Sequence, residues 1–236
     1  MAWTYVASTK GYSLAAVSTY DSDDTLNLAI GDVLCIYVGW GGATTTVAVA
    51  TDAAADDFTM QTVNQYSTRN GGCIGNVVVG TADATANIRV TLGAERGTLS
   101  FVVYQFRPDA GDEVTLVAGP GSANAGSGNA PQSANISPDG TDLLCYAGAY
   151  NAAGVQQTSE QIGDEAADGS LDSNRLTGWY TIYDSSQTDI HAQCTFGDND
   201  SWTCDIIALE SAAGGGPTPT YSGRGIGRGI ARGIWR

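Results

Sequence analysis

The chain has 236 residues, a formal net charge of -15 from 10 Lys+Arg against 25 Asp+Glu, 31 Gly and a single His. That length suits one large β domain or two of about 100 residues, each able to bury a core. So acidic a chain repels nucleic-acid phosphates, and no run of about 20 apolar residues is present to cross a bilayer.

The opening "MAWTYVASTKGYSL" lacks the basic stretch and continuous apolar run of an export signal. Short runs rich in Val, Ile, Phe and Tyr then follow between Gly, Asp and Thr turns: "VLCIYV" (33–38), "NVVV" (76–79), "IRVTL" (88–92) and "LSFVVYQF" (99–106). "RPDAGDE" (107–113) clusters Pro, Gly and charge and marks a boundary between units. The stretch "GPGSANAGSGNAPQSAN" (119–135) has linker composition but falls inside the second unit as a loop or edge segment. Beyond it come "LLCYAGAY" (143–150), "GWYTIY" (178–183), "IHAQCTF" (190–196) and "WTCDIIAL" (202–209), with "SEQIGDEAAD" (159–168) as the one place for a short exposed helical turn.

Three patches recur in the same order. "WTYVAS" (3–8) parallels "VTLVAG" (114–119). "NLAIGDVLCIYVGWGGA" (27–43) parallels "NISPDGTDLLCYAGAYNAAG" (135–154), setting Cys35 against Cys145 and Trp40 against Tyr150. "ANIRVTLGAERGTLSFVVYQF" (86–106) parallels "DIHAQCTFGDNDSWTCDIIAL" (189–209), setting Leu99 against Trp202. Recurrence in order predicts a duplication. The expected fold is all-β, with two tandem antiparallel β-sandwiches, jelly-roll or immunoglobulin-like, over 1–111 and 112–212, each sheet burying one face. Residues 213–236 form a Gly/Pro linker and an Arg-Gly-Ile arm.

Catalytic chemistry finds little footing. His191 shares the wet side of its strand with Gln193 and Thr195, away from Cys194, which argues against a triad or metal role. Asp198, Asn199 and Asp200 carry oxygen ligands suited to calcium, but not in EF-hand order, and turn formation explains them equally. No phosphate-binding loop, dinucleotide fingerprint or nucleophile elbow occurs, so no cofactor is implied. The five cysteines are too sparse for a disulfide scaffold. Cys194 and Cys204 flank "TFGDNDSWT" symmetrically and could bridge across a hairpin, or pack as two buried thiols. Trp40, Trp179 and Tyr180 offer either a ligand patch for a glycan or core packing.

The ending "SGRGIGRGIARGIWR" reverses the charge. Arg224, Arg228, Arg232 and Arg236 are four of the 10 basic residues, and no acid follows residue 212, so the body holds 6 basic against 25 acidic side chains. As a strand the arm sets Arg224, Ile226, Arg228, Ile230, Arg232, Ile234 and Arg236 on one face and small residues on most of the other; as a helix it would be weakened by glycine. Ile226, Ile230, Ile234 and Trp235 add apolar surface that a nucleic-acid tail would not need, which ranks a protein partner first. The β units and this arm together resemble structural proteins of tailed bacteriophage particles, of the decoration, tail or fibre type. That resemblance implies a non-catalytic virion subunit, assembled in the host cytoplasm, self-associating and bound to other structural proteins. The competing expectation is a carbohydrate-binding fibre or lectin-like module.

Overall fold

A computed structural model of the protein describes residues 3–52, 56–119, 124–153 and 157–213, so the arm and Arg224 to Arg236 lie outside the described residues. Every regular element among the described residues is a strand. The first half forms β1 (Trp3–Ser13), β2 (Val17–Asp21), β3 (Leu26–Leu28), β4 (Val33–Gly41), β5 (Val47–Thr51), β6 (Thr59–Met60), β7 (Asn64–Tyr66), β8 (Asn70–Val78), β9 (Asp83–Ala86), β10 (Ile88–Arg96) and β11 (Thr98–Pro108). The second forms β12 (Asp112–Ala118), β13 (Asn124–Gly128), β14 (Leu143–Asn151), β15 (Gln157–Ile162), β16 (Glu165–Ala166), β17 (Gly169–Ser173), β18 (Leu176–Tyr183), β19 (Ala192–Phe196) and β20 (Asp200–Ala213).

Each half contributes one six-stranded antiparallel sheet, ordered β1-β11-β4-β8-β6 with β7 also on β8, and β12-β20-β14-β18-β17 with β13 also on β20. Three-stranded sheets β2-β10-β5 and β16-β15-β19 accompany them, with β3 and β9 as a separate pair. Alternate residues of β4 serve two cores. Leu34, Ile36, Val38 and Trp40 pack with Val90 and Leu92 of β10, whereas Val33, Cys35 and Tyr37 pack with Leu144, Tyr146 and Tyr150 of β14. On β14, Leu143, Cys145, Ala147 and Ala149 turn the other way, toward Ala192, Cys194 and Phe196 of β19. The sheets therefore stack in four layers, small, large, large, small, with a central core shared by the two halves.

This stacking corrects the expectation that each sheet buries one face. A strand covered on both faces must be apolar at every position. That is why "VLCIYVGW" and "LLCYAGAY" run without polar interruption, and why Val33 to Trp40 are all buried. β10 faces solvent on one side, and its start alternates buried and exposed residues.

Strand register relates the halves closely. β1 bulges between Tyr5 and Ala7, opposite Phe106 and Gln105; β12 bulges between Leu116 and Ala118, opposite Leu209 and Ala208. From that common landmark Phe106 pairs with Val33 and Leu209 with Leu144, so the place of Cys145 is held in the first half by Leu34 and that of Gly148 by Tyr37. Setting Cys35 against Cys145 and Trp40 against Tyr150 is thus a slip of one residue. A one-residue slip exchanges the two faces of a strand: Cys35 and Tyr150 face the central core, Trp40 and Cys145 the outer ones.

Two local expectations also change. Residues 159–168 form no helical turn: β15 and β16 are a hairpin, with the backbone of Gly163 at φ 62 allowing the reversal and Ile162 fully buried. Residues 124–128 form an edge strand on β20, and the boundary at 107–113 is a tight turn, closed by Asp112 N–H donating to the Asp109 carbonyl at 3.2 Å.

Candidate functional site

The seam between the two large sheets is built from tyrosines set against glycines. Tyr37 lies on Gly148 and Tyr150 on Gly39, so closely that a Cβ on either glycine would overlap the opposing ring. Each phenol then reaches across: Tyr37 Oη donates to Thr203 Oγ1 at 3.0 Å, and Tyr150 Oη and Thr98 Oγ1 share a bond of 2.8 Å. Tyr104 donates to the Gly178 carbonyl at 3.0 Å, Tyr146 to Val102 at 3.3 Å, and Trp3 Nε1 to Asp142 at 2.6 Å. Parting the halves would break these bonds and expose the apolar seam around them to water, so they tie the two halves together.

Asp205 sits in the same seam, 2% exposed, and accepts a hydrogen bond on Oδ1 from Asn64 Nδ2 of the other half. Its Oδ2 meets no donor among the described residues. Burial pushes the carboxyl up to about 8 against the opposing effect of the Asn64 bond, so it holds a proton at neutral pH. The signal was visible in "WTCDIIAL", where one acid interrupts an apolar strand.

The residues singled out from sequence fall into the interior. Trp40 and Trp179 are both 0% exposed, with indole N–H groups donating to the carbonyls of Ala43 at 3.2 Å and Gln161 at 3.1 Å. Tyr180 is 8% exposed and packs edge-on against Phe106 with ring centroids 4.8 Å apart. Double-sided burial of the large sheets encloses Trp40 and Trp179, while Tyr180 lines a surface depression with Ile182 and Tyr183. Cys194 and Cys204 are free buried thiols on facing sheets, β19 and β20, not partners across one ladder. Burial pushes both thiols well up, which makes them inert as nucleophiles. His191, Gln193 and Thr195 are half-buried while Ala192, Cys194 and Phe196 are buried, the alternation expected of them.

The acidic turn is engaged with its own surroundings. Asp200 Oδ1 accepts the Ser201 N–H at 2.7 Å and lies 3.6 Å from Arg69 Nη1, and the Asp198 carbonyl accepts Asn151 Nδ2 at 3.3 Å. Among the described residues no group of three His, Cys, Asp or Glu is placed to hold a metal ion.

On the outside, the seam opens into a trough of about 640 Å³ at the turn between β11 and β12. It is lined by Thr4, Ile30, Gly31 and Val78 of the first half, and by the β11–β12 turn and the start of β12 through Thr115. Asp32 anchors it from behind. Burial would raise the Asp32 carboxyl, but donors from Arg107, the Ala29 N–H and Gln105 outweigh burial and hold it below the usual carboxylate range. Arg107 grips it with two bonds of 2.6 and 2.9 Å. Sequence reading passed over Ile30 and Val78; their signal was an Ile set immediately before the Gly31-Asp32 turn, outside the strand alternation. No family model, curated protein or solved structure matches the chain.

Proposed function

We propose that this chain is a non-catalytic structural subunit of a viral particle or comparable large assembly, held to its neighbours by residues 213–236. The observation that carries the reading is the contrast between an interlocked, acidic four-layer block and a tail whose only charges are Arg224, Arg228, Arg232 and Arg236. A block locked by its own seam offers a rigid building unit, and guanidinium groups pair well with the carboxylates of an adjacent copy. Exposed ion pairs are worth only about 0–1 kcal/mol each, so the isoleucines and Trp235 supply the apolar burial that holds the contact. The matching sheet orders and the bulge shared by β1 and β12 support reading 1–111 and 112–212 as a duplicated β-sandwich unit. With Trp40 and Trp179 inside, no observation favours a glycan-binding module over this reading. Deleting residues 221–236 is expected to leave the β circular dichroism unchanged while size-exclusion chromatography with light scattering shows the oligomer reduced to single chains. An unchanged mass at equal concentration and salt overturns the proposal.

A further inference from the structure

The trough at the β11–β12 turn brings four features together. Its floor is apolar: Ile30 is 72% exposed and Val78 45%, branched side chains that a soluble surface covers when it can. Its rim is acidic. Arg107 is already matched by Asp32, which leaves Asp109, Asp112 and Glu113 to set the sign of the field. β12 pairs with β20 alone among the described residues, so its outer edge presents backbone donors and acceptors to an incoming segment. β20 ends at Ala213 in register with Asp112, so the chain leaves the described residues at the lip of this trough.

Residues 224–236 have the complementary chemistry: Ile226, Ile230 and Ile234 for the floor, Arg224, Arg228 and Arg232 for the rim, and glycines that let a backbone approach an edge strand. We propose that the trough receives the Arg-Gly-Ile arm of a second copy of this chain. This rests on the reading of the arm as the anchor between subunits and names its receiver. The intervening "GGGPTPTYSG" contains Pro217 and Pro219, and proline restricts φ and favours extended chain. About ten extended residues span up to roughly 33 Å, enough to reach a neighbouring block. A reciprocal exchange between two copies forms the contact twice, the economy of an isologous dimer.

Complementation tests the exchange directly. One variant keeps its arm and carries Ile30→Glu, at a surface position where the fold tolerates charge. The other keeps its trough and lacks residues 221–236. Each alone is expected to run as a single chain or a much weakened oligomer, and their mixture to form a heterodimer by light scattering, weakened at least tenfold by raising salt from 50 to 500 mM. Glu113→Lys in the arm-less partner should abolish that heterodimer, and Arg228→Glu in the other should restore it in part. If arm deletion alone leaves assembly intact, the anchor reading fails and this proposal with it. If deletion dissociates the oligomer while Ile30→Glu and Glu113→Lys leave full-length chains assembled, the arm is the anchor but the trough is not its receiver. Failure of the mixture to combine, with each variant folded, means that an arm serves its own chain, and overturns the exchange.

Discussion

The central seam and the two outer cores bury similar kinds of surface by different means. The outer cores are filled mainly by Leu, Ile, Val, Ala and Cys, with Trp40 in one and Trp179 in the other. The seam has aliphatic residues too, among them Val33, Leu144, Ile207 and Leu209, but it adds Tyr37, Tyr104, Tyr146, Tyr150 and Tyr180. Aliphatic packing rewards burial of any well-fitting shape and tolerates exchange of one hydrophobe for another. A tyrosine contributes the same apolar body and adds a hydroxyl that is satisfied at one place only. The outer cores thus supply burial, whereas the seam adds a fixed relation between the halves. Tyr37 on Gly148, with its hydroxyl on Thr203, defines one register of β4 over β14 and β20.

The strongest probe of this difference is pH, because the seam holds a buried acid. Asp205 titrates near 8 in the folded chain and near about 3.9 when unfolded. A raised folded value means that the native state binds the proton more tightly, so the stability it contributes is complete below the unfolded value and is lost as pH rises toward 8. The slope is about 1.4 kcal/mol per pH unit within that window. Asp205→Asn keeps an acceptor for Asn64 without a titrating group. It is expected to match the wild type in urea unfolding at about pH 3.5 or below and to exceed it increasingly toward pH 8. Parallel profiles for the two proteins would show that Asp205 is not protonated in the seam.

The next effect is steric. Gly148→Ala puts a Cβ where the Tyr37 ring lies and should cost about 1–3 kcal/mol, the usual range for overpacking. Truncating the ring as well, in Gly148→Ala with Tyr37→Ala, should be less damaging than the sum of the two single changes, because the clash is then removed. Additive losses in chemical denaturation would place Tyr37 elsewhere in solution.

The strands were legible because burial on both faces writes itself into sequence as unbroken apolar runs, as in "LSFVVYQF" and "LLCYAGAY". The same property hid the seam. A run apolar at every position does not say which alternate residues face which neighbour, so Cys35 could be set against Cys145 when Leu34 holds that place. Only a bulge breaks the degeneracy, and the bulges at Tyr5 and Leu116 are backbone events in "WTYVAS" and "VTLVAG" whose side chains do not announce them. Trp40, Trp179 and Tyr180 stayed open between ligand patch and core for a related reason: beside Gly-rich loops the sequence does not show what covers a ring, and here the small outer sheets cover Trp40 and Trp179 while the central seam takes Tyr180. Ile30 was missed because a lone apolar residue before a turn carries no periodicity.

The smallest effect isolates the hydroxyl from the ring. Tyr37→Phe preserves the packing on Gly148 and removes the donor to Thr203, leaving a buried Thr203 hydroxyl short of one partner, at a cost of about 1 kcal/mol. An outer core offers the matched control. Tyr183 donates to the Ile162 carbonyl at 2.6 Å, also in the interior, and Tyr183→Phe should cost a similar amount. The two variants should differ in where amide hydrogen exchange accelerates, not in total stability. Loss of the seam bond should loosen β20 around Thr203 together with β4, elements of different halves. Loss of the outer bond should loosen β15 and β18 and leave the first half unchanged. If Tyr37→Phe accelerates exchange in β4 alone, the tyrosine hydroxyls do not couple the halves, and the seam holds by burial in the same manner as the cores on either side of it.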